Sequence, residues 1–92
     1  MKGGTVMYVY VLETFDREDE YCEYNSEVVA VYAEENFKDA KEHWKRLCES
    51  RTDEDDETET WRRNGGYFFS SKYGSCESYR FSFVGLKKMK VQ

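Results

Sequence analysis

Three cysteines and one histidine carry the widest chemical repertoire in this chain: Cys22, Cys48, Cys76 and His43. A structural zinc site takes four such ligands, usually in close pairs. No Cys-x-x-Cys occurs here, and the cysteines stand 26 and 28 residues apart. His43 lies five residues before Cys48, a spacing that does not put the two on one helix face. An odd thiol count with no pairing pattern reads as free cysteines in a reducing compartment. Cys48 is then a small apolar residue near a helix end, and a Cys22–Cys76 disulfide is the alternative. Cysteine–histidine catalysis would need His43 beside Cys22 or Cys76. Next to Trp44, it reads instead as a half-exposed helix residue.

Carboxylates are abundant, so a pair of them says little. They gather in two runs: Asp16, Glu18, Asp19 and Glu20, then Asp53, Glu54, Asp55, Asp56 and Glu57. A metal-dependent nuclease holds its acids rigidly around an ion. A calcium loop spaces them as Asp-x-Asp-x-Asp-Gly with a closing Glu. Neither pattern is present, and there is no phosphate-cradling glycine loop, GxSxG or HExxH. The reading is a protein that is not an enzyme and needs no cofactor or metal.

Charge is segregated along the chain. The total is -5, from 14 basic and 19 acidic residues among 92. Residues 13–35 carry -8, residues 49–60 carry -6, and residues 61–92 carry +6. An acidic total argues against general affinity for a phosphate backbone. Two explanations compete for the acidic runs: they keep a small protein soluble, or they converge into one negative surface that suits a basic partner. No apolar stretch reaches the 18 or so residues of a membrane span. The apolar run at Val6–Leu12 lacks a signal-peptide cleavage site. The expected location is therefore cytoplasmic.

The elements that must position these residues follow from periodicity. Val6 to Leu12 is apolar on both alternating faces, as in a central strand. One face carries Val6, Tyr8, Tyr10 and Leu12, the other Met7, Val9 and Val11. Phe15 to Glu23 reads as a charged hairpin loop. A second strand runs from Glu23 to Tyr32. Asn36 is a plausible N-cap, and Phe37, Ala40, Trp44 and Leu47 recur at helical spacing. That helix is expected to stop between Cys48 and Thr52. Residues 49–60 read as a flexible acidic loop. Trp61 to Ser71 reads as a strand in which Asn64-Gly65-Gly66 is either a tight turn or a bulge. The last strand runs from Ser78 to about Lys88, with Lys87, Lys88 and Lys90 in a basic tail. Tyr79, Phe81 and Phe83 alternate with Arg80 and Ser82, as on a sheet with one wet face. Phe68, Phe81 and Phe83 are assigned to the core. The order β-β-α-β-β predicts one α+β domain over 1–92: an antiparallel sheet of about four strands with one helix across a face.

A strand greasy on both faces, in a chain with only one helix, leaves surface to cover. Tyrosine and tryptophan are favoured interface anchors, and dimerisation through an open face or an edge strand is one solution. Compactness, acidity and the lack of catalytic motifs resemble small phage-encoded inhibitors, including anti-restriction and anti-CRISPR proteins. The resemblance is one of type and rests on no motif. It implies a viral protein in the host cytoplasm that acts as a DNA mimic against a nuclease or other nucleic-acid enzyme. Asp16, Glu18, Asp19, Glu20, Asp53, Glu54, Asp55, Asp56 and Glu57 would then stand in for phosphates, with Trp61, Arg62 and Tyr73 as anchors. Two other readings remain open: a self-associating accessory protein, and a single-stranded nucleic-acid binder using the aromatic and basic residues of the C-terminal third.

Overall fold

The computed structural model describes residues 7–18, 23–74 and 79–91. Asp19, Glu20, Cys22 and Cys76 lie outside the described residues. The elements are β1 (Met7–Glu18), β2 (Glu23–Ala33), a 3-10 turn (Glu34–Asn36), α1 (Phe37–Ser50), β3 (Glu57–Arg63), β4 (Gly66–Gly74) and β5 (Tyr79–Val91). The strands form one antiparallel sheet in the order β2-β1-β5-β4-β3. The α+β class therefore holds, with five strands rather than about four.

The additional strand comes from the Asn64-Gly65 pair. Both residues have positive φ, 50° and 80°, as a two-residue hairpin turn of the twisted kind requires. The segment expected as one strand thus folds back on itself, pairing Trp61 with Phe68 and Arg63 with Gly66. Other boundaries move as well. β1 continues through the segment expected as a loop, because Phe15, Asp16 and Arg17 pair with Phe83, Ser82 and Phe81. The expected loop over residues 49–60 is reduced to residues 51–56, since α1 reaches Ser50 and β3 opens at Glu57. The expected basic tail is strand: Lys87, Lys88 and Lys90 pair with Val11, Tyr10 and Tyr8. Asn36 sits at the N-cap but makes no side-chain cap bond.

One helix covers one face. Its apolar stripe places Ala40, Trp44 and Cys48 on Tyr10, Leu12, Phe69, Val84 and Leu86, with Phe37 and Leu47 at the margin. The Trp44 indole donates to the Val84 carbonyl at 3.1 Å. Leu12, Val84 and Leu86 are fully buried, each contributing about 1.5–3 kcal/mol of transfer free energy. Cys48 is a free, buried thiol, and burial pushes it up to about 12 despite the nearby Arg51 charge. His43 is half-buried and shares a 2.7 Å hydrogen bond with the Tyr32 hydroxyl.

Candidate functional site

Strand parity decides what the second face carries. Leu12, Leu86, Val84 and Phe69 point under the helix, so their neighbours along each strand point away. On the far side the cross-strand rows read Val31, Val11 and Lys87; then Val28, Glu13, Gly85, Phe68 and Trp61; then Phe15, Phe83 and Ser70. No described element lies over this face. Val28 and Val31 are 58 % and 60 % exposed, and Trp61 39 %. A bulge between Leu12 and Glu13 inserts Val29 as an extra residue in β2. It keeps both Val28 and Val31 on the open side while Val29 packs toward the core.

Phe68, Phe81 and Phe83 were expected in the core, and the structure places them on this open face instead, half-buried. The rings of Phe68 and Phe83 lean along their strands, over Gly66 and Gly85. Trp61 stacks on Phe68 with ring centroids 5.8 Å apart and planes 19° apart. Phe68 stacks on Phe83 at 6.1 Å and 26°. Phe81 meets Phe15 edge-on at 6.3 Å. The space for a flat-lying ribbon comes from Gly85: a Cβ there would sit 2.9 Å from Phe83 Cε1 and 3.3 Å from Phe68 Cδ1. Trp61, Arg63, Asn64, Phe68, Phe83, Lys87 and Lys88 line a hollow of about 400 Å³ at the ribbon's edge. Lys87 is paired with Glu13 at 3.2 Å.

The acidic residues gather at one end of the other face. Asp16 and Glu18 close β1, and Glu18 stands opposite Arg80 in the β1–β5 register. The segment 51–56 folds onto the same end. Arg51 donates to both Asp16 oxygens at 3.2 Å, and the Ser82 hydroxyl donates to Oδ1 at 2.7 Å. Arg80 donates to Asp53 at 2.8 Å and to Asp56 at 3.4 Å. Asp56 also accepts the Ser71 hydroxyl at 2.8 Å and the Asp53 amide at 3.0 Å. Its side chain is only 1 % exposed. Burial alone would push that carboxyl up. The Asp53 amide, the Ser71 hydroxyl and the Arg80 guanidinium outweigh it, and the group lies below the ordinary aspartate value. Asp53 and Asp56 in turn raise Arg80, the Asp53 hydrogen bond first.

The two acidic runs thus meet, as far as the described residues reach, but they do not present a uniform anionic face. Asp16 and Asp56 have their oxygens on internal donors, whereas Asp53 accepts from Arg80 with its side chain still 72 % exposed. Glu18, Glu54, Asp55 and Glu57 are exposed. The three expected anchors are divided. Trp61 joins the open face. Arg62, one residue on, points to the helix side and lies 4.7 Å from the Tyr67 ring centroid. Tyr73 is 44 % exposed, has Arg80 at 5.7 Å from its ring, and flanks Asp53, Glu54 and Asp55. A third feature is a cleft of about 510 Å³ beside α1, lined by Trp44, Cys48, Thr60 and Phe69, where β3 and β4 extend past the helix. Among the described residues, no group of three or more His, Cys, Asp or Glu could hold a metal.

The open-face residues left out of the sequence reading had one available signal. Phe68 and Phe69 are adjacent in a strand, so only one can be core. With Val84 and Leu86 at the opposite parity to Phe83, the core face of β5 was readable as Ser82-Val84-Leu86. Comparison of the chain with protein-family models, with curated proteins and with solved structures finds no match.

Proposed function

We propose that this chain is a non-catalytic protein-binding domain whose docking surface is the open face of the sheet. The carrying observation is the flat aromatic ribbon Trp61–Phe68–Phe83, flanked by Val11, Val28 and Val31, with no described element over it. Aromatic side chains that are pre-ordered by stacking bind with little further loss of rotamer freedom, and Trp is a favoured hot-spot residue. The partner is a protein with an apolar patch bordered by basic side chains. Glu54, Asp55 and Glu57 lie toward one end of the sheet, where they steer such a partner on approach. An inhibitor of a nucleic-acid-handling enzyme, with these carboxylates set against its phosphate-binding groove, is the specific form of this reading.

The test is capture from host lysate at low and high salt, with wild type beside the double variant Trp61→Ala/Phe68→Ser. A basic protein retained by wild type, lost with the double variant and depleted at high salt supports the reading. Equal retention by both forms places binding elsewhere and overturns it. Reversal of Glu54 and Asp55 to Lys should slow association about 10-fold or more at low salt.

A second reading has its own observation. Arg63 and Lys87 border the same stacked rings, which is how single-stranded nucleic acid is held: bases on aromatic faces, phosphates on cations. Quenching of Trp61 fluorescence by single-stranded DNA or RNA, lost with Arg63→Glu, would favour it. No quenching at low salt would exclude it.

A further inference from the structure

We propose that β3 pairs edge to edge with β3 of a second copy, antiparallel about a two-fold axis through Thr60, joining two five-stranded sheets into one of ten. β3 ends the strand order, and all seven of its residues are exposed. An edge of this kind offers a ladder of unpaired amides and carbonyls, which proteins usually blunt with Pro, charged side chains (Lys above all), a bulge or a covering element. β3 has no Pro, Lys or bulge: its sequence is Glu-Thr-Glu-Thr-Trp-Arg-Arg, its register with β4 is continuous, and no described element covers it. It does carry four charges, two of each sign, so what they repel or accept depends on the strand placed beside them. The opposite edge is different, because β2 carries the Val29 bulge.

The occupant follows from charge. The strand is acidic at its start and basic at its end, so it complements itself when reversed. An axis through Thr60 sets Glu57 against the partner copy's Arg63 position, twice by symmetry, and Thr58 against its Arg62 position. Backbone parity agrees. Arg63 and Gly66 flank a two-residue turn and bond to each other, so alternate residues Thr58, Thr60 and Arg62 direct their amides and carbonyls outward. Cross-strand partners share a face, so the open faces of both copies lie on the same side and the two aromatic ribbons become neighbours. The pairing does not depend on what the open face binds.

The experiment is sedimentation equilibrium of the full chain over a wide concentration range, with four variants. Wild type should dimerise. Glu57→Arg or Arg63→Glu alone sets like charges opposite each other and should weaken the dimer about 10-fold or more. Glu57→Arg/Arg63→Glu together should restore it. Thr60→Pro removes only an outward-facing amide, which an edge strand tolerates; it should keep the wild-type circular dichroism and abolish the dimer. A wild type that stays monomeric at its highest soluble concentration overturns the proposal. So does a dimer that survives Thr60→Pro, or single variants that the double variant does not rescue. Loss of partner capture by Trp61→Ala/Phe68→Ser with the dimer intact, or the reverse, separates this proposal from the docking role of the open face.

Discussion

At the residue scale, Asp56 shows how a surface-looking sequence can hide a structural group. It stands in a run of five acids, and such a run cannot be buried as a unit. One member is nonetheless enclosed, because Ser71, Arg80 and the Asp53 amide supply the donors that burial requires. Asp53 is three residues away, but Ser71 and Arg80 are 15 and 24 residues away, so the sequence offered no sign of which acid would turn inward. The consequence is a pH dependence. The folded carboxyl lies below its unfolded value of about 3.9, so its contribution is present above that pH and disappears as pH falls through the lower folded value. Asp56→Asn should therefore lower the urea midpoint at pH 7. The gap from wild type should hold down to about pH 5 and then narrow as the pH is taken toward about 3, below the ordinary carboxyl value. A gap that is the same at both pH values would show that Asp56 acts by shape and not by charge.

At the element scale, the helix and the long apolar strand were legible and the hairpins were less so. Phe37, Ala40, Trp44 and Leu47 specify a helix face by spacing alone, and that face is the one packed on the sheet. β1 was readable as an interior strand because both its faces are apolar, and it lies between β2 and β5. Its full length was not, since Asp16 and Arg17 look like loop residues until Ser82 and Arg51 appear beside Asp16. The face assigned to Phe68, Phe81 and Phe83 was wrong for a related reason. Phe is expected inside by transfer free energy, whereas here Gly85 lets the rings lie flat against the sheet exterior. Gly85→Ala tests that geometry. Its Cβ would meet Phe83 at 2.9 Å, and relief by ring displacement should cost about 1–3 kcal/mol of stability. The same change should weaken partner capture by disordering the ribbon, which is read by the altered near-ultraviolet circular dichroism of the stacked aromatics. Unchanged stability and unchanged aromatic signal would contradict the glycine's role.

At the scale of the whole molecule, the protein is open. Its accessible surface is 6626 Å² for 11.0 kDa, against roughly 5,600 Å² for a compact monomer of that mass. Its radius of gyration is 15.6 Å, against about 12 Å for a compact chain of 92 residues. The excess is about 1,000 Å², of the same order as the roughly 800 Å² that each partner contributes to a standard protein–protein interface. A single helix across a five-stranded sheet leaves one face of the sheet exposed, and the proposed docking role would use it. The measurement that tests this most directly is photo-crosslinking in the producing cell. A benzophenone amino acid replaces Trp61 on the open face or, in a second strain, Tyr73 on the helix side. The account predicts a discrete adduct to another protein from position 61 and none from position 73. Adducts from position 73 alone would move the binding surface to the acidic end and contradict the central claim.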